Sequence, residues 1–415
     1  MGQPVTLPHS TFFANSFHSR SKHTTSQIGT RGTVTSTPPV CLHIALDNGR
    51  RKSEYCFILY LEPLDGLDCL VPPPPTQTAR FVGIARLAAE SPLVRERAEV
   101  EYFALLCRST LSRESSGRMP FAWTINPYRG CEFGCKYCYA RYTHEFMEMW
   151  DGKDFERKIY AKVGSPELLR AELRQAKDKG LPIALGTATD PYQPAEKQFE
   201  ITRRMLEVFA EFAGLEFSIT TKSVLILRDL ELLRLVTARH RFSVHMTVTT
   251  IDERLARLLE PKAPPAARRL EAVKQLSEAG ICVGVNAMPI LPGLNDSERS
   301  LETLARAASE AGAKFLYGNI LFLTPSAMKQ FMPFLEEEFP RLVKQYRKLY
   351  AHSAYLNGDY KARVTKLLAE LRARYGLEGN HGEPPPAARH PQLALPFEAL
   401  DGSTAARRLL TPCNT

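Results

Sequence analysis

The sequence predicts an α/β protein on a parallel sheet, either a partial barrel or an open doubly wound sheet. Three observations carry this. Six short apolar runs between residues 122 and 323 read as strands, and segments of helical periodicity separate them. Such alternation fits right-handed crossovers between parallel neighbours. Six units also fall short of the eight of a closed barrel.

Residues 122–128 form the first predicted strand and lead into a cysteine-bearing loop. The run 182–186 follows a helix opened by Ser165 as N-cap, with Pro166 at the first helical position and Glu167 in the first turn. The next helix sets Ile201, Met205, Val208, Phe209 and Phe212 on one stripe. Strand 216–221, a Leu-rich helix after Ser223 and strand 242–249 come next. A helix bearing Leu270, Val273 and Leu276 leads to strand 281–290. Asp296 is expected to cap the helix bearing Leu301, Leu304 and Ala308, and 315–323 is the last strand.

In either architecture the site belongs at the carboxyl ends of the strands. The cysteine loop follows strand one, residues 187–190 follow strand two and Lys222 follows strand three. Thr247 and Thr249 end strand four, and residues 289–295 close strand five.

The flanks differ in character. Residues 1–80 are rich in Ser, Thr, His and Pro and lack helical periodicity, so they read as a disordered or spurious extension, with residues 55–61 a candidate short strand. Residues 1–40 hold no Asp or Glu, but no Arg-rich amphipathic helix supports a transit peptide. Residues 81–118 lead into a core at 119–330. A charged helical extension follows at 331–377, expected to pack against the barrel side. A flexible tail fills 378–415, with 392–397 a candidate docking peptide.

Hydrophobic content of 44% and charged content of 24% are ordinary for a globular protein. No apolar run approaches the ~18 residues of a membrane span, so a soluble, cytoplasmic protein without a membrane partner is expected. The net charge of +9 is a modest excess that suits nucleic acid without demanding it. Of nine cysteines six are scattered and read as free thiols, so no disulfide framework exists and a reducing compartment is implied.

The other three lie in the run Arg129-Gly130-Cys131-Glu132-Phe133-Gly134-Cys135-Lys136-Tyr137-Cys138-Tyr139. Soft thiolates select iron–sulfur or zinc. Three ligands suit a [4Fe–4S] cluster whose fourth iron keeps an open position, and Gly130 and Gly134 permit the turns. Phe133, Tyr137 and Tyr139 would shield such a cluster. The alternative is a non-catalytic, nucleic-acid-binding zinc knot with His144 the candidate fourth ligand, although zinc sites favour two CxxC pairs and no second pair exists. His144 and Glu145 otherwise read as helix residues near the site.

At these residues the chain resembles the radical S-adenosylmethionine (SAM) superfamily. From about residue 119 to 325 it resembles the branch related to spore photoproduct lyase, often labelled DNA repair photolyase-like. The strings that carry this are Ile125-Asn126-Pro127-Tyr128-Arg129-Gly130-Cys131, Gly186-Thr187-Ala188-Thr189-Asp190-Pro191-Tyr192-Gln193-Pro194, Thr221-Lys222-Ser223 and Pro289-Ile290-Leu291-Pro292-Gly293-Leu294-Asn295-Asp296. About half of the chain is covered.

The resemblance implies a partial (β/α)6 barrel of the TIM-like radical SAM type, with Cys131, Cys135 and Cys138 as cluster ligands. SAM would chelate the open iron, take one electron through a donor such as flavodoxin or ferredoxin, and yield a 5′-deoxyadenosyl radical that abstracts hydrogen from a substrate. It further implies that Thr189 and Asp190 meet the SAM amino group, Lys222 its carboxylate and Thr247 its ribose, and that Tyr137 or Tyr139 relays hydrogen. One departure stands out: photoproduct lyases return hydrogen from a cysteine where this chain has Ala188. The expected substrate is DNA or another nucleic acid, and the alternatives are a protein, a tRNA or a small molecule.

Overall fold

Strands buried on both faces need apolar residues throughout, and helices laid over them need one apolar stripe. The computed structural model describes residues 81–114, 117, 119–176 and 182–379, together with the backbone of two further strands, Val40–Asp47 and Lys52–Leu59. Those two pair antiparallel, in a unit that ends at residue 76. The second covers most of the short strand predicted over 55–61, whereas the first was not foreseen. The remainder of the segment expected to be disordered lies outside the described residues, as does the candidate docking peptide at 392–397.

Within residues 77–415, six strands line up in chain order and run parallel: β1 Trp123–Ile125, β2 Ile183–Leu185, β3 Glu216–Thr221, β4 Arg241–Thr247, β5 Val283–Ile290 and β6 Leu316–Ile320. A doubly wound sheet reverses direction at a switch point, and this one never does. The partial barrel is therefore the correct alternative. A seventh strand, Leu111–Arg113, pairs antiparallel with the edge of β1.

The intervening helices are α1 Ser165–Ala176, α2 Ile201–Ala210, α3 Leu230–Arg239, α4 Ala266–Glu278 and α5 Glu298–Glu310. Their stripes bury as expected: Ile201, Met205, Val208 and Phe209 on α2, Val273 and Leu276 on α4, and Leu301, Leu304 and Ala308 on α5 are all buried. Phe212 and Leu270 are partly buried against the same core.

Strand one is shorter than predicted. Pro127 cannot donate to the ladder, so the chain leaves the sheet there. Tyr128–Arg129 instead pairs antiparallel with Lys158–Ala161 in a second sheet of order Leu93–Arg97, Val100–Ala104, Lys158–Ala161, Tyr128–Arg129. This small sheet braces the cysteine loop from outside the barrel.

Two predicted caps shift by one residue. α1 begins at Ser165 itself, its first turn closes from Leu168 N to Gly164 O at 3.2 Å, and the buried Ser165 hydroxyl finds no partner. α5 is capped by Ser297, whose Oγ accepts from Ser300 N at 3.2 Å. Asp296 is diverted because its carboxylate accepts from Gly293 N at 2.8 Å and from the Tyr360 hydroxyl at 2.9 Å. Ser297→Ala is accordingly expected to cost about 1 kcal/mol in denaturant unfolding. Asp296→Ala should act instead through the loop after β5 and leave α5 capped.

After β6 come α6 Pro325–Glu338 and α7 Gly358–Tyr375. α7 lies along the sheet edge, as expected for an extension packed on the barrel side: Leu316 N donates to Leu377 O, and a Cβ at Gly318 would meet Leu368 Cδ1 at 2.6 Å. Among the described residues no helix is long and apolar enough to cross a membrane.

Candidate functional site

All six strand ends point to one mouth, and the cysteine loop lies across it. Gly130 has φ +83°, and a Cβ there would stand 2.8 Å from the carbonyl oxygens of both Phe155 and Lys158, so only glycine fits. The loop is pinned by Cys131 N to Phe155 O at 2.8 Å, Lys136 N to Leu259 O at 2.9 Å and Arg141 Nη2 to Cys135 O at 3.1 Å. Cys135 is buried and Cys131 and Cys138 are half-buried, packed with Phe133, Tyr137, Leu291 and Leu323. Gly130→Ala should therefore lower iron retention several-fold after anaerobic reconstitution, measured as iron per chain, because the backbone must shift before the thiols can converge.

Burial pushes the thiols of Cys131 and Cys135 up, Cys135 to about 12. Asp190 and the other thiols add to this at Cys131, while Lys222 opposes it at Cys135. Thiols in such a place ionise when a metal takes them. The donor set is three soft sulfurs, and among the described residues no three His, Cys, Asp or Glu side chains converge to cage a single ion. His144, the fourth ligand of the zinc alternative, aims Nε2 at Lys158 O at 3.0 Å and packs its ring on Phe155 and Tyr160. Burial pushes that imidazole down to about 4, so it stays neutral at pH 7. A zinc ion needs four ligands at one point, whereas a cubane takes each thiolate at its own corner and leaves one open. The residues present fit the cubane.

The strand-two loop is stitched to the cysteine loop. Ala188 N donates to Asn126 Oδ1 at 2.7 Å, and the Thr189 hydroxyl donates to Gly130 O at 2.6 Å. Gln193 Nε2 reaches the same carbonyl at 3.1 Å, while its Oε1 accepts from Glu132 N at 3.0 Å. The buried Glu132 carboxylate accepts from Ala195 N and the Tyr102 hydroxyl. Asp190 joins this loop to β3, accepting from Thr221 Oγ1 and Lys222 N at 2.7 Å and from Tyr192 N at 2.9 Å. Burial nevertheless keeps its carboxyl above the ordinary value.

Lys222 sends its ammonium 5.9 Å over the Tyr137 ring. Burial alone would lower this lysine, but Cys135, Glu260 and Asp190 together hold it above its ordinary value, so it is a fixed positive charge. Tyr137 is buried, with its hydroxyl on Glu260 Oε1 and 3.0 Å from Thr249 Oγ1. Tyr139 is 38% exposed at the mouth, with its hydroxyl on Thr187 O. Thr247 ends β4 with its side chain buried, and its carbonyl accepts from Arg269 Nη1 at 3.0 Å. The cysteine loop, Thr189, Asp190, Lys222 and Thr247 thus each end or follow a strand of the barrel.

Two residues that sequence reasoning missed underlie the site. Glu260 and Arg269 form an ion pair of 2.6 Å with both side chains at most 2% exposed. Arg269 also donates from Nε to Pro264 O at 2.7 Å. Glu260 accepts from Tyr137 and lies 2.7 Å from Thr249 Oγ1, so the pair props the cysteine loop from below. In sequence each is one charge on an amphipathic segment, with no signal to separate it from a solvated one.

Three comparisons bear on this site. The family model described as Radical SAM superfamily matches residues 125–305. An uncharacterized protein of Mycobacterium tuberculosis is 34% identical over 288 residues, which are 69% of this chain and 84% of that one. An uncharacterized protein of Methanocaldococcus jannaschii is 31% identical over 218 residues, 52% of this chain and 76% of that one. Among solved structures, a spore photoproduct lyase variant with bound AdoMet and dinucleoside spore photoproduct shares the fold at TM-score 0.50 and 16% identity, over 65% of this chain and 78% of that chain.

Proposed function

Since the chain belongs to the radical SAM superfamily and is a radical SAM enzyme, we propose that it binds a [4Fe–4S] cluster through Cys131, Cys135 and Cys138 and acts on nucleic acid, in the narrower form as a DNA repair-like lyase. The observation that carries the cluster is the set of three buried or half-buried thiols, with no further donor converging on them among the described residues, beside the half-buried, positively charged Lys222. When bound, the cluster supplies the electron that splits SAM and so a 5′-deoxyadenosyl radical.

The chain's own residues bind and orient. Lys222 supplies a fixed positive charge for the SAM carboxylate. The loop of Thr189 and Asp190 faces the amino group, and Thr247 the ribose. Phe133, Leu291, Leu321 and Leu323 exclude water, which keeps a reactive radical from side reactions. Both tyrosine hydroxyls are hydrogen-bonded, Tyr137 to Glu260 and Tyr139 to Thr187 O, but only the Tyr139 ring is open at the mouth, which favours Tyr139 as the one that exchanges hydrogen with a substrate. Ala188 offers no thiol at the position where photoproduct lyases use one, so hydrogen return here does not follow their cysteine route.

The modest basic excess and the fold shared with a lyase of spore photoproduct support a nucleic-acid substrate. The electron would come from a flavodoxin or ferredoxin in a reducing compartment such as the cytoplasm. The test is anaerobic reconstitution with iron and sulfide, then SAM and dithionite, with 5′-deoxyadenosine quantified with and without ultraviolet-damaged DNA. The expected result is SAM cleavage that damaged DNA accelerates. Cleavage indifferent to any nucleic acid would move the substrate to a protein or small molecule.

A further inference from the structure

Three aromatic rings stand at the barrel mouth outside the buried site. Phe322 follows β6 and stacks on Tyr355 with centroids 4.2 Å apart and planes 22° from parallel. Tyr139, the residue after Cys138, meets Phe322 at 6.0 Å and 50°. Tyr139 and Tyr355 are 38% and 47% exposed. The rings come from separate loops, and each loop is held from behind. Tyr139 donates to Thr187 O at the end of β2, Leu323 N donates to Ala354 O at 3.0 Å, and Tyr355 N donates to Ser353 Oγ at 3.0 Å.

Single exposed apolar side chains are common on protein surfaces and need no explanation, whereas a contiguous cluster of three rings, two of them stacked, marks an interaction site. We propose that Tyr139, Phe322 and Tyr355 form a stacking platform that presents a nucleobase to the mouth above Cys138. This rests on the reading that the mouth is the radical site. The helix end beside the rings favours a nucleotide over a neutral aromatic side chain. α6 starts at Pro325, three residues past Phe322, is capped by Thr324 and has no acidic residue in its first turn. The partial positive charge of that helix end, with no acidic side chain in its first turn, suits the phosphate joined to a stacked base. A base paired inside a duplex cannot lie on such a platform, so the substrate base is unpaired or extruded.

The test uses the full chain loaded with its cluster, under anaerobic conditions. Fluorescence anisotropy compares a single-stranded thymidine dodecamer with an abasic oligonucleotide of equal length. Tyr355→Ala and Phe322→Ala are expected to weaken dodecamer binding about tenfold and to leave the abasic strand unaffected. Tyr355→Trp should retain dodecamer binding, which separates loss of stacking from loss of fold. Equal losses on both strands, or no loss on either, would overturn the proposal. So would a tryptophan-containing dodecapeptide that binds more tightly than the dodecamer and depends more on Tyr355. SAM cleavage by the unaltered protein, assayed in parallel without nucleic acid, judges the radical reading by itself, because the binding comparison needs no turnover.

Discussion

Replacing Cys131, Cys135 and Cys138 together with alanine should reduce iron per chain and reductive SAM cleavage to background while the barrel stays folded. The two halves of this expectation have different physical origins. The cysteines lie in a loop beyond the end of β1, and the large core formed by the sheet and helices α1 to α5 contains none of them. Their removal takes polarizable volume from a smaller cluster that keeps Phe133, Tyr137, Leu259, Leu291 and Phe331. Circular dichroism and the unfolding midpoint of the metal-free variant should therefore match those of the metal-free parent within a few degrees. No substitute site offers itself, since among the described residues no three His, Cys, Asp or Glu side chains are placed to hold a single ion. The brown absorbance near ~400 nm typical of thiolate-bound iron should vanish with the thiols. Iron retained by the triple variant, or one zinc and no iron in the parent, would sink the cluster assignment and with it the proposed chemistry.

Much of this arrangement was legible in the sequence because its signals are local. Strands buried on both faces show as apolar runs, and the helices over them as single stripes, so the six units and their order of use at the mouth followed from pattern. The CxxxCxxC spacing marks its loop for the same reason: three thiols within eight residues converge with few alternatives. What was not legible depends on distant contacts. Leu93–Arg97 is exposed along its length and pairs through backbone alone, so no side-chain pattern announces the second sheet. Strand one was overextended because Trp123, Ile125 and Tyr128 look continuous while Pro127 ends the ladder between them. Asp296 looked like a cap until Gly293 and Tyr360 claimed its oxygens. Phe322 and Tyr355 meet only because the loop before α7 folds back to β6.

The second large effect concerns Glu260. Its carboxylate and the Arg269 guanidinium are buried together, so removing one leaves the other without its countercharge, a change that typically costs about 3–5 kcal/mol. Glu260→Gln should lower the unfolding midpoint by roughly 5–8 °C. Burial opposes its ionisation, but Arg269 and Lys222 outweigh this and hold the carboxyl below its ordinary value. With the folded pKa below the unfolded one, the stabilisation is complete above about pH 4.3 and lost as pH falls through the folded value. The parent should therefore lose stability in acid faster than Glu260→Gln, which has nothing left to titrate there. Replacing both partners, as Glu260→Leu with Arg269→Leu, should recover much of the midpoint, because a well-packed apolar pair often matches a buried ion pair. It should not recover the site, because Tyr137 then has no acceptor in Glu260 and Lys222 loses a countercharge. Iron retention and SAM affinity, measured by equilibrium dialysis, should stay depressed in the stable double variant. A double variant that regains both would show that the pair serves folding alone and that the cysteine loop holds its shape without it.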